Sequence, residues 1–188
     1  SLPLFYRTAY QEQRNSAWKL KDTENTGSAL NSALLKTSVT LGDMLQITQQ
    51  ETDTLQNYTD GKQNTASELF KKISAEGLFR SCSNAEPTIN KKLKSGTKLT
   101  RLLCARFIWN LYVARKNNSA IAVKYSVKYR ARADALSPVA DIPLDSPDFD
   151  AVLGCVENEF LTLPDGKNFR PDEPVSAADF LSYIKAMK

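Results

Sequence analysis

Apolar positions along this chain fall mostly into stripes of helical period. Leu41, Leu45, Thr48, Thr52 and Leu55 recur at spacings of four and three, which predicts a helix beginning in "SVTLGDML". Leu69, Phe70 and Ile73 form the apolar side of a second helix in "TASELFKKISAEGLF", and Gly77 stops it. The most apolar segment is "LTRLLCARFIWNLYVARKNN". There Leu103, Phe107 and Leu111 stack at intervals of four, and Leu102, Ile108 and Trp109 widen the buried face. Arg106 and Asn110 share the other face and read as its wet side. Val152, Val156 and Phe160 mark a helix in "DFDAVLGCVENEF", and Phe180, Leu181, Ile184 and Met187 mark the last one. Residues 8–20 read as a further helix, followed by the polar loop "DTENTGSALNS".

One stretch departs from this period. In "AIAVKYSVKYRA" Ile121, Val123, Tyr125, Val127 and Tyr129 alternate with Ala122, Lys124, Ser126, Lys128 and Arg130. Period two predicts a strand with one dry and one basic face, paired as a short hairpin with residues 131–142 or with a second chain.

Helix starts carry their own signals. Thr40 with Asp43 and Ser176 with Asp179 are capping boxes, and Thr100 is a third hydroxyl cap. An apolar residue precedes each cap: Val39, Leu99 and Val175. The caps lie 60 and 76 residues apart, and the excess of 16 matches the strand-like insertion after Asn118. Asp165-Gly166 forms a turn, and Pro171 and Pro174 keep the chain extended up to Val175. The recurring unit is a helix, a long connection, a hydroxyl cap and a second helix. Such units bury their faces against neighbouring copies.

The composition is that of a soluble globular chain of 188 residues, and no apolar run approaches a membrane span. The net charge of +4 conceals a strong asymmetry. Residues 87–133 hold 12 Lys and Arg and no acid, whereas residues 134–188 hold 11 acids and 4 bases. This pattern marks a site for an anion, or two regions that face each other. Cys82, Cys104 and Cys155 have neither metal nor redox spacing, and Cys104 reads as a packed hydrophobe. There is no histidine, and no nucleophile elbow, phosphate loop or metal motif. Asp165, Asp172 and Glu173 lack the alternation of a calcium loop. The chain therefore reads as non-catalytic, with no cofactor and no metal.

"DIPLDSPDFDAVLGCVENEF" followed by "PDGKNFRPDEPVSAADFLSYIKAM" resembles an S-layer homology (SLH) repeat. The shared features are the aspartate-proline entry, the aromatic-started helix, "PDG-x-F-x-P" and the capped second helix. "ASELFKKISAEGLF" to "GTKLTRLLCARFIWNLY" resembles the family more loosely, and the first copy rests on "VTLGD". The resemblance implies a mainly α fold of SLH-like repeats in a pseudo-threefold unit: residues 1–62, 63–118 and 141–188, with a strand-containing insertion at 119–140. It also implies a bacterial surface or envelope location, with a signal peptide removed. The groove between repeats would bind an anionic, often pyruvylated, wall polysaccharide. In this family the arginine after the capping hydroxyl contributes to that groove, and only Arg101 matches it. Leu41 and Ala177 stand in the equivalent places, and Phe149 replaces the usual tryptophan.

The expected ligand-binding set is accordingly Arg101, Thr100, Lys98 and Ser176. A guanidinium offers a fixed fork to a carboxylate or phosphate, and a helix start adds unpaired amides. The alternative function is a degenerate SLH-like scaffold that binds an envelope protein or forms an oligomer through residues 119–130. Nucleic-acid binding through Tyr125 and Tyr129, interleaved with Lys124, Lys128 and Arg130, has the least support, because the alternation turns those tyrosines inward.

Overall fold

The structure, a computed structural model, describes residues 35–81 and 93–187. The expected helix at 8–20, the loop at 22–32 and Cys82 lie outside these residues. The described chain is mainly helical. Its elements are α1 (Leu41–Glu51), α2 (Gln56–Thr59), α3 (Ala66–Ala75), α4 (Arg101–Lys116), the 3-10 helix η1 (Ser119–Val123), α5 (Lys124–Arg130), α6 (Phe149–Glu157) and α7 (Ala177–Ala186). No helix among the described residues is long and apolar enough to cross a membrane.

The three hydroxyl caps form as expected, and the reciprocal box closes at Thr40. Thr40 accepts from the Asp43 amide, and the Asp43 carboxylate accepts from the Thr40 amide, so two otherwise unpaired donors are satisfied reciprocally. Thr100 and Ser176 accept from the amides of Leu103 and Asp179. Thr65 and Glu68 form a further capping box at the start of α3. Gly77 (φ 76°) follows α3, and Asn117 (φ 49°) ends α4 in the left-handed conformation.

The apolar stripes meet in one core. α1 packs on α3 and α7, and α4 packs on α6. Phe79, Phe107 and Phe180 follow one another through its centre, with ring centroids 5.7 and 6.4 Å apart. Phe149 and Phe169 are also fully enclosed, as core side chains rather than sugar platforms. The contact between α4 and α6 depends on Gly154. A β-carbon placed there would stand 2.5 Å from Cε3 and Cζ3 of the buried Trp109 ring. Glycine is needed at this position for close approach, not for its φ angle. Gly154→Val is expected to destabilise the fold by about 3 kcal/mol or more, read from urea midpoints, because the added side chain overlaps the buried indole and forces α4 and α6 apart.

The expected strand at 119–130 is a correction. Residues 119–123 form η1 and residues 124–130 form α5. Ile121, Tyr125 and Tyr129 are spaced by four, so the alternating pattern contains a helical stripe as well. Their partly buried side chains pack on the core. Tyr125 meets Trp109 at 6.0 Å, and Tyr129 meets Phe149 edge-on at 5.5 Å. A strand needs partners for its backbone, and a helix supplies its own. The start of α5 is completed from outside: Asp150, buried on α6, accepts from the amides of Tyr125 (2.9 Å) and Ser126 (2.8 Å). Val127, expected on the dry face, is exposed.

Candidate functional site

The three capped starts of α1, α4 and α7 are linked by backbone hydrogen bonds between the segments that precede them. Leu99 donates to the Val39 carbonyl (2.8 Å), and Val175 donates to the Leu99 carbonyl (3.1 Å). Isolated antiparallel bridges join Thr40 to Lys98 and Thr100 to Pro174. The first amides of each helix then reach across. Leu41 and Gly42 donate to Thr97 and Ser95, Arg101 and Leu102 donate to Glu173 and Pro171, and Ala177 donates to Lys36. The same offsets from the cap recur at α1 and α4. Apolar Val39, Leu99 and Val175, all buried, anchor these segments from below.

This arrangement brings Lys98, Thr100 and Arg101 to the joined helix starts, with Ser176 at the start of the neighbouring helix. It also corrects two expectations about them. The first is the supply of free amides. The amides of Leu41, Gly42 and Asp43, and those of Arg101, Leu102 and Leu103, all have protein acceptors. The starts of α1 and α4 therefore offer no row of unpaired donors to an anion. Thr40, Thr100 and Ser176 act as caps.

The second correction concerns Arg101. Its side chain was expected to face a groove, yet the residue is 4% exposed. Nε donates to the Phe169 carbonyl (2.7 Å), Nη1 donates to the Tyr183 hydroxyl (3.1 Å), and Nη2 donates to the Thr162 carbonyl. The guanidinium also lies 4.6 Å from the centre of the Phe169 ring. None of these partners is charged. Arg101 instead fastens the start of α4 to the 162–169 connection and to α7. The sequence signal is the same in both cases, because a guanidinium suits carbonyl oxygens as well as a ligand's oxygens.

Among the described residues, the cations that remain outward near the joined starts include Lys36, Lys94 and Lys98, all exposed. Lys36 lies 3.7 Å from Asp43. Gly96, between Lys94 and Lys98, has open space where a side chain would stand. On the adjoining segment Arg170 is 3.8 Å from both Asp165 and Glu173, so its charge is spent on two carboxylates and that part of the rim stays acidic.

Other polar groups singled out from the sequence are structural. Arg106, expected on the wet side of α4, is 2% exposed and grips Asp148 at 2.6 and 2.8 Å. Asn110 donates to the carbonyls of Leu78 and Arg80. Asp165 accepts from the Asn168 side chain and from the amides of Asn168 and Lys167, with Arg170 nearby. These contacts hold its carboxyl well below the usual range, as suits an acceptor built into a turn. Asp141 accepts from the amides of Phe169 and Arg170 and fixes the other end of the same connection. Cys104 and Cys155 are buried thiols, Cys155 donating to the Ala105 carbonyl, and burial pushes the Cys104 thiol up, away from reactivity. No group of three or more potential metal ligands is present among the described residues. A polar hollow of about 60 Å³ beside α2 is lined by Gln49, Thr52, Gln56, Thr59 and Lys62, and is separate from the joined starts.

Sequence reasoning missed Asp148, Asp150 and Gly154. Their only signal is position, at the opening and middle of an otherwise apolar helix. No protein-family model, curated protein or solved structure matches the chain.

Proposed function

We propose that this chain is a non-catalytic attachment module of the S-layer homology kind, which holds an anionic cell-wall polysaccharide. The observation that carries the reading is the linkage of three capped helix starts by backbone bonds, with offsets that recur at α1 and α4. It supports three related units around one centre, which is the framework that the C-terminal resemblance implies. The bacterial envelope location follows from the same reading.

Arg101 enters as a positioning residue that sets the angle between α4 and the 162–169 connection. Contact with the polymer falls to Lys98 and Lys94, which flank the open Gly96, with Lys36 across the α1 start. Flexible ammonium groups suit a polymer whose carboxylates or phosphates recur along a chain, since each contact is weak and many accumulate. The alternative scaffold reading loses the open strand edge that motivated it, because that segment is helical.

The test is sedimentation with purified sacculi, before and after chemical removal of the attached polymers. Retention on intact sacculi that falls roughly tenfold on stripped ones, a change of about 1.4 kcal/mol, is the expected result. Equal retention on both would remove the polymer from the account.

A further inference from the structure

We infer that the outward face of α5 is a peripheral docking surface for an anionic phospholipid bilayer. Lys124, Val127, Lys128 and Ala131 are separated by three, one and three residues, so they share one side of the helix, and all four are exposed. Exposed Arg132 follows Ala131, and the Lys124 ammonium lies 5.6 Å from the centre of the Tyr125 ring, at the edge of this face. The opposite side of α5 is fixed: Tyr125 and Tyr129 lie on the core rings, and Asp150 holds the helix start. Arg130 donates twice to the Leu144 carbonyl and Arg115 donates to the Met187 carbonyl, so these two cations anchor the surface. Residues 119–136 contain one acid, Asp134, which is exposed. Half-buried Glu157 acts on Tyr125, and exposed Asp145 adjoins the Leu144 carbonyl that Arg130 holds.

The apolar content decides the partner. Among the described residues the strongly exposed large hydrophobics are Leu35, Val127 (65%) and Leu136 (84%). Val127 stands between the two lysines of the face, and Leu136 follows Arg132 by one further turn, closed by the Ala135 amide on the Arg132 carbonyl. A bilayer surface takes both kinds of group at once, cations at the headgroups and aliphatic tips at the acyl boundary. Single-stranded nucleic acid would need outward aromatic rings, and both tyrosines of α5 are turned inward. A stable second copy needs about 1,200 Å² of complementary surface with an apolar centre, far more than two aliphatic side chains provide. The inference is independent of polymer binding at the joined helix starts.

The experiment is flotation of the whole chain with vesicles of phosphatidylcholine alone, or with 30% phosphatidylglycerol, at low and moderate salt. Binding is expected only with the anionic lipid, and to weaken with salt. Each basic residue at such a surface is worth about a fivefold gain in partitioning, so Lys124→Glu with Lys128→Glu should lower it roughly 25-fold or more. Val127→Ser with Leu136→Ser should lower it roughly fivefold, while retention on a poly-glutamate resin stays constant. All four positions are exposed, so both pairs should melt like the parent, and sacculus retention should not change. Equal binding to neutral vesicles, indifference to the Val127 and Leu136 changes, or displacement of the vesicles by a single-stranded oligonucleotide would each overturn the inference.

Discussion

Arg101→Ala is expected to lower the unfolding free energy by roughly 3–5 kcal/mol, measured by urea denaturation. The substitution strands the carbonyls of Phe169 and Thr162 and the Tyr183 hydroxyl in a buried setting, and each unsatisfied group costs about 1–3 kcal/mol. It also removes the cation from the Phe169 ring and leaves a cavity at the start of α4. Arg101→Lys should recover only part of the loss, because one ammonium cannot reproduce three donors directed along separate lines. A change within about 0.5 kcal/mol, the range of ordinary surface substitutions, would mean that the guanidinium faces solvent, and would restore it as a ligand-facing group.

Asp148→Ala is expected to cost about 3–5 kcal/mol, because it leaves the Arg106 guanidinium buried without its counter-charge. The pair is bidentate and nearly enclosed, with Nε on one carboxylate oxygen and Nη2 on the other. It sits where α4 meets the opening of α6, close to the Asp150 carboxylate that holds α5. Its loss should therefore loosen the insertion as well as the core. The double replacement Arg106→Met with Asp148→Ala should recover part of the stability, since it removes the unpaired buried charge while alanine leaves the carboxylate's space empty. A single Asp148→Ala variant of parental stability would show that the carboxylate contributes nothing to holding α4 and α6 together.

The parts of this fold legible in the sequence are those in which a local rule and the tertiary context agree. The hydroxyl caps at Thr40, Thr100 and Ser176 carry both the helix-start signal and the packing of the residue before them, so their positions could be read directly. Residues 119–130 were misread because Ile121, Tyr125 and Tyr129 satisfy a period of two and a period of four together. The deciding element is Asp150, whose carboxylate caps α5 from 24 residues away, and no local window contains it. The expected site was partly legible. Lys98, Thr100 and Ser176 do gather at the joined helix starts. The burial of Arg101 could not be read, because its acceptors are carbonyls 61 and 68 residues downstream, and backbone carbonyls have no residue-type signature. The Arg106–Asp148 pair was hidden for a related reason: an arginine opposite an apolar stripe looks solvated until the element carrying its partner is placed.

An anionic wall polymer is expected to bind through the cations that remain outward at the joined helix starts. The direct measurement is calorimetric titration of polymer fragments released from sacculi into the parent chain and into Lys94→Glu with Lys98→Glu. Both positions are exposed, so the variant should keep the parental melting temperature. Each exposed contact is worth up to about 1 kcal/mol, and reversing two charges should weaken binding roughly tenfold or more, with a shallower salt dependence. Undiminished affinity in the folded variant, or no binding heat with the parent chain, would contradict the proposal.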